Sequence, residues 1–361
     1  PGATNMMTGI ADAYFDSIPV LYITGQVNTY EYKYDKPVRQ QGFQETDIVS
    51  MVKSVTKYAK LIDKAEDIKY ELDKALYIAL SGRKGPVLLD LPMDIQREEI
   101  NPETLIGYSG ESILNNPLIA WEEIRLLMES SHRPMLLLGA GCCNSDMVLL
   151  NDFIRRHHFP VITSLMGRGA IDETYDNYIG MIGSYGNRCA NMGVANADLL
   201  IALGTRLDTR QTGARLDQFL SNGHIIHVDI DDNELEYHRL LNRKKVNCTI
   251  DCFLQKEKEM PISLGDISEW NFFLHGLKQR YGQDAEIERF VENKSPYRFM
   301  QYFDSLTQTD DVICADIGQN QMWAAQTLRL KSGQKFVTSG GLAPMGFSLP
   351  VAIGCSFANP N

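Results

Sequence analysis

A succession of short, continuous apolar runs, each ending in a turn and followed by a helical pattern, restricts this chain to one class of fold. Val20-Leu-Tyr-Ile-Thr24 runs into Gly25-Gln26, and Pro86-Val-Leu-Leu-Asp-Leu-Pro92 is closed by prolines at both ends. Met135-Leu-Leu-Leu-Gly139, Pro160-Val-Ile-Thr-Ser164, Leu199-Leu-Ile-Ala-Leu203 and Ile225-Ile-His-Val-Asp229 repeat the form. Runs this short, without polar alternation, suit strands covered on both faces, and such strands belong to parallel sheets. Between them lie helical patterns: Ile68, Leu72, Ala75, Leu76 and Ala79 are predicted to share one face, with Gly82 as the stop. Met147, Leu150, Phe153 and Ile154 do the same in a second helix. Strands alternating with helices predict doubly wound α/β domains.

The chain divides into three such blocks and two connectors. Residues 1–100 form the first block, followed by a polar connector at 101–117 and a second α/β block at 118–257. A charged connector at 258–295 leads to the third block at 296–361. With 361 residues, each block can bury a core. A formal charge of −11 argues against nucleic acid or an anionic membrane as partner. No apolar run reaches the roughly 18 residues of a membrane span. The seven cysteines have no metal-site spacing and read as reduced, buried thiols of a cytoplasmic protein.

The third block carries the sharpest local signal. Asp316-Ile-Gly-Gln-Asn-Gln-Met-Trp-Ala-Ala-Gln326 and Thr338-Ser-Gly-Gly-Leu-Ala-Pro-Met-Gly346 each follow a strand and lead through glycine into a helix. A helix start reached that way points backbone N–H groups outward and suits a phosphate. Met345, one large soft side chain among Gly340, Gly341 and Gly346, can prop a ligand in a defined shape.

In the second block Gly139-Ala-Gly141 is half of a dinucleotide fingerprint, without the third glycine. Arg206, Asp208 and Arg210 follow one strand end, and Asp229 and Asp231 another, where open α/β sheets bind ligands. Each has a plain structural alternative: solvated turns for the arginines, loop capping for the aspartates. Together they favour a nucleotide-like ligand. His157-His158 point to different helix faces and read as a solvated helix end, and His227 as a satisfied core residue. Gly42-Phe43-Gln44-Glu45 precedes a helix from Asp47, where its plain alternative is a helix cap with a staple-like Phe43.

With these residues in view, the chain resembles the thiamine-diphosphate-dependent acetolactate synthase family along nearly its whole length. Pro1-Gly-Ala-Thr-Asn5, Ile23-Thr-Gly-Gln26, Phe43-Gln44-Glu45-Thr46-Asp47 and Gly85-Pro86-Val87 match the pyrimidine-binding domain. Gly204-Thr-Arg-Leu-Asp-Thr-Arg-Gln-Thr-Gly213 and His227-Val-Asp-Ile-Asp231 match the central domain, and Gln319 to Gln326 with Ser339 to Gly346 the diphosphate-binding domain.

The resemblance implies three doubly wound parallel-sheet domains, the first and third incomplete. It implies thiamine diphosphate, Mg²⁺ and FAD as cofactors, a 2-keto acid as substrate, and a homodimer or homotetramer with shared active sites. The implied reaction is decarboxylation of pyruvate and attack of the resulting carbanion on a second 2-keto acid, giving 2-acetolactate. Phe43 and Gln44 would line the substrate side. Gln319, Asn320, Gly341, Ala343 and Met345 would meet thiamine diphosphate, Met345 holding it bent. Gly139, Gly141, Arg206, Asp208, Arg210, Asp229 and Asp231 would meet the flavin. The family's activating glutamate is expected before Pro1 and its Gly-Asp-Gly…Asn metal motif after Asn361, so the chain as given is expected to be inactive alone. Met93 stands in place of a lysine, Asn320 of a histidine, and Ala343-Pro344 of a glycine-containing pair. These departures leave open another thiamine-diphosphate enzyme, such as a glyoxylate carboligase or a 2-keto acid decarboxylase, or a non-catalytic binding or partner chain.

Overall fold

The computed structural model describes residues 1–110 and 119–359, so the end of the 101–117 connector lies outside the described residues. Every strand pairing in it is parallel. The residues form two compact units. One takes in 1–110 with Ser339–Pro344, the other 119–338 with 345–359.

The first unit holds a three-stranded sheet, β1 (Leu21–Gln26), β2 (Tyr58–Leu61) and β3 (Val87–Pro92), in the order β1-β3-β2. β3 is central, and its alternating side chains feed two cores. Val87 and Leu89 join Ile62, Ala75 and Ala79 on one face, while Leu88 joins Ile10, Ile48 and Val52 on the other. The helix Ile68–Leu80 forms as expected, but Leu76 lies exposed and Glu71 is buried in the stripe instead. Glu71 turns inward because its carboxylate accepts the Tyr58 hydroxyl hydrogen bond from β2.

The second unit is built on a six-stranded sheet: β4 (Pro134–Leu138), β5 (Val161–Thr163), β6 (Tyr178–Met181), β7 (Leu199–Leu203), β8 (His224–Asp229) and β9 (Arg243–Asn247). Their order is β6-β5-β4-β7-β8-β9, so the chain winds outward through β5 and β6 and then returns beside β4. Leu136, Leu138, Ile201, Leu203, Ile226 and Val228 pack on one face against Trp121, Phe153 and Phe253. Met135, Leu137, Leu200 and Ala202 pack on the other against Val194, Trp270 and Leu274. The helix Ser268–Tyr281 thus lies inside a stretch expected to be a connector, yet its Trp270, Leu274 and Leu277 belong to the core.

A parallel pair completes this unit: β10 (Val312–Cys314) and β11 (Lys335–Val337), joined through the helix Gln319–Thr327. Doubly wound topology is therefore clearest in the central sheet. The cysteines are free, with Cys142, Cys189 and Cys248 buried, but Cys143 is exposed, contrary to the expectation of uniformly buried thiols.

Candidate functional site

In the first unit the loop bearing Phe43 and Gln44 is fastened from within. The buried Glu45 carboxylate accepts backbone N–H bonds from Lys33 (2.9 Å), Gln41 (2.7 Å) and Gly42 (3.1 Å). Burial disfavours its charge, but those three amide donors outweigh it and hold the carboxyl below the usual range. Next to it, Thr46 O accepts from Gln26 Nε2 (2.7 Å), which also donates to the buried Asp90 (2.8 Å). Burial pushes the Asp90 carboxyl up, against the hydrogen bonds from Thr24 and Gln26. The loop backbone is thus anchored to the ends of β1 and β3.

Its tip points the other way. Phe43 is 86% exposed, and Gln44 sits at φ +64°, a left-handed conformation that non-glycine residues hold only when their surroundings impose it. The capping alternative fails here. Asp47 accepts from Ser50 N and caps the helix Ile48–Val52, and an exposed Phe43 staples nothing.

Ser339–Pro344 docks on the end of the helix Met7–Phe15. Ser339 Oγ donates to Asp12 (2.5 Å), and the Gly340 and Gly341 amides donate to Asp16 (3.1 and 2.8 Å). A Cβ on Gly341 would lie 2.5 Å from the Phe15 Cβ, so only glycine allows this approach. Ala343, of the Ala343-Pro344 pair that stands in place of a glycine-containing one, holds φ +57°.

In the second unit Asp316, beyond β10, accepts from Gly346 N (2.9 Å), Ser348 N (3.0 Å) and Ser348 Oγ (3.0 Å). Those amide bonds hold its carboxyl below the ordinary range and tie the two glycine turns of this unit together. The helix Gln319–Thr327 starts at Gly318 with no side-chain cap, and Gln319 and Asn320 are exposed on its first turn. Its leading amides therefore lack the usual capping acceptor, which fits an anionic ligand. Met345 is 84% exposed.

The central-sheet candidates also come together, on the carboxyl ends of β4, β7 and β8, where the strand order reverses. Here the plain structural roles are visible. A Cβ on Gly139 would lie 2.2 Å from Gly204 O, and one on Gly141 2.9 Å from Gly204 Cα, so both glycines let two loops touch. Asp208 caps the turn Thr209–Thr212, Asp231 caps Asp232–Glu236, and Asp229 accepts from Asp231 N. Arg206 pairs with Asp208 at 3.6 Å, and Arg210 lies over the Tyr185 ring at 5.3 Å.

His227 is buried as expected. Arg243 donates to its Nδ1 (2.6 Å), so its Nε2–H donates to Thr205 O (2.7 Å). Burial, with help from the Arg243 cation, lowers its pKa to about 4 despite that carbonyl. His157 departs from the solvated reading: its nearly buried ring meets Glu257 at 3.0 Å. The bracing roles of Glu45, Asp16 and Asp316 are not readable from the sequence: Glu45 and Asp316 stand inside quoted motifs, and no motif marks Asp16.

Comparison with known proteins now bears on this geometry. The thiamine pyrophosphate enzyme N-terminal TPP binding domain matches residues 1–51, the central domain 122–251, and the C-terminal TPP binding domain 316–361. Acetolactate synthase 2, chloroplastic, of Nicotiana tabacum is 36% identical over 373 residues, and acetolactate synthase, chloroplastic, of Arabidopsis thaliana is 35% identical over 376. Acetolactate synthase 1, chloroplastic, of Zea mays is 35% identical over 372. The chain belongs to the acetolactate synthase family of thiamine pyrophosphate enzymes. All of this chain is covered in each comparison, but only 54%, 54% and 56% of those relatives, so it spans about half their length. The family-typical fold is present in the parallel sheets, and among the described residues no helix is long and apolar enough to cross a membrane.

Proposed function

We propose that the protein acts as an acetolactate synthase, decarboxylating pyruvate and joining its two-carbon remainder to a second 2-keto acid to give 2-acetolactate. The observation that carries this reading is similarity to acetolactate synthases along the entire chain, at 35–36% identity to the tobacco, Arabidopsis and maize proteins. When bound, thiamine diphosphate supplies the electron sink for decarboxylation and carbon–carbon bond formation.

The chain's own residues would bind and orient. The uncapped amides at Gln319 and Asn320 would hold the diphosphate, with Mg²⁺ as its counter-ion. Gly341 and Ala343 would lie along the cofactor, and Met345 would press on it. Phe43 and Gln44 would meet the 2-keto acid, the glutamine by neutral hydrogen bonds and the ring by excluding water. The rim formed by Gly139, Gly141, Arg206, Asp208, Arg210, Asp229 and Asp231 would take FAD. A homodimer or homotetramer with shared active sites completes the reading, and sedimentation of the active protein checks it.

The test is to give the full-length protein pyruvate, thiamine diphosphate and Mg²⁺. Acetolactate is the expected product, and no turnover of pyruvate would overturn the proposal. Met93 favours a second reading, another carboligase or a decarboxylase of the same cofactor class. It follows β3 directly, is 43% exposed, and offers a 2-keto acid no positive charge. Turnover of a different 2-keto acid in place of pyruvate would select that reading.

A further inference from the structure

The helix that begins at Gln319 is gripped at its other end by a side chain that none of the motifs contains. Arg168 follows the turn Leu165–Gly167 after β5, and its side chain is 1% exposed. All five of its N–H donors have acceptors. Nε donates to Glu173 Oε1 (2.9 Å), and one Nη2 hydrogen completes a two-point pair with the same carboxylate. Nη1 donates to Ala325 O (2.9 Å) and Ala324 O (3.3 Å), and Nη2 donates also to Leu328 O (2.6 Å).

Those three carbonyls belong to the last turn and C-cap of the helix Gln319–Thr327; Ala324 O also accepts from Leu328 N (3.0 Å), and beyond that bond the helix has run out of following amides. Glu173 reinforces the grip. Its Oε2 accepts from Leu330 N (3.1 Å), and its own amide donates to Leu330 O (2.8 Å). The Phe336 ring of β11 lies 5.2 Å from the guanidinium carbon. Residues 168 and 173, placed by the central sheet, thus fix where a helix of the β10–β11 layer stops.

We propose that Arg168 and Glu173 are positioning residues for the cofactor diphosphate, acting through the rigid helix whose first turn carries Gln319 and Asn320. The inference rests on the thiamine diphosphate reading above. A helix is stiff along its axis, so fixing its last turn fixes its first. A guanidinium is also favourably placed at the negative end of a helix, which stabilises that last turn. Neither residue touches the ligand, and the fork geometry of arginine is what allows one group to bridge a carboxylate and three carbonyls.

Removing only one partner strands a buried charge, and the protein could then fail to fold. The informative variant is therefore the pair Arg168→Met with Glu173→Leu, which replaces the ion pair by apolar groups. In full-length protein with Mg²⁺, amide exchange across 319–328 should rise at least several-fold while β4 and β7 exchange as before. The thiamine diphosphate Kd should weaken about ten- to a hundredfold, the range found when outer supports of a site are removed. Arg168→Lys, which keeps the charge and loses the fork, should fall between.

Unchanged affinity in the double variant would overturn the proposal, whether or not exchange rises, because the pair would then be structural only. Unaltered protein that fails to bind thiamine diphosphate would overturn both this proposal and the reading beneath it. Binding by unaltered protein with no loss in the variant overturns the positioning role alone.

Discussion

The central-sheet rim and the turns around Gln44 and Gln319 both gather the residues expected to bind a cofactor or substrate, but they hold them differently. On the rim, Asp208, Asp229 and Asp231 cap or brace the backbone, Arg206 and Arg210 have neighbours, and Gly139 and Gly141 are closed against Gly204. Around Gln44 and Gln319 the bracing comes from other residues, Glu45, Gln26 and Asp316, and the expected binding side chains stay exposed. The second arrangement is the one a reactive site needs, because bracing and binding are divided between different groups. On the rim the residues expected to bind are themselves the braces, so a change there should be read first as a change in stability.

The largest effect should come from the rim. Gly139→Ala puts a methyl group 2.2 Å from Gly204 O, a backbone atom that cannot step aside, and should cost about 3 kcal/mol or more in denaturant unfolding. If stability held and only flavin content fell, the contrast between the two regions would break.

Acid should act on the rim next. His227 is held neutral, with its folded pKa near 4 and its unfolded value about 6.5. Its contribution is therefore intact above about 6.5 and is lost as pH falls towards 4, by up to roughly 3 kcal/mol. His227→Gln should flatten that part of the stability–pH curve.

In the exposed region the readout should be activity. Gln44→Ala should lower kcat/KM about ten- to a hundredfold, equivalent to about 1–3 kcal/mol, with the unfolding midpoint unchanged. A fall in stability of the same size would mean that Gln44 braces the loop. The smallest effect belongs to Ala343→Gly, which should stabilise by about 1 kcal/mol by relieving the left-handed backbone at φ +57°. This gain is offset by the greater freedom of glycine in the unfolded chain, so no gain would mean that the two terms cancel.

The strands that the sequence reveals and those it hides differ in a physical way. β3, β4, β7 and β8 are interior strands flanked on both sides, and their apolar runs are visible without a structure. β2, β6 and β9 are sheet edges and carry no such run, although β1, an edge as well, keeps its apolar run. Arg243-Lys-Lys-Val-Asn247 reads as a charged turn, and such edges carry charge because a bare apolar edge invites other chains to pair.

The site divides along the same line. Gln44, Gln319 and Met345 stand in motifs whose order along the chain can be read. Arg168 meets carbonyls 156 to 160 residues away, at 324, 325 and 328, Glu173 meets the backbone of Leu330, and nothing local marks either residue. Glu45 lies beside Gln44, yet its three backbone donors become its partners only when the loop closes.

The central claim is that the turn at Gly318–Asn320 receives the cofactor's diphosphate. Amide hydrogen exchange of the full-length protein, with Mg²⁺ and with or without thiamine diphosphate, tests it most directly. Protection should appear across 316–322 and leave 204–210 unchanged. Binding that protects 204–210 and leaves 316–322 exchanging freely would contradict the account.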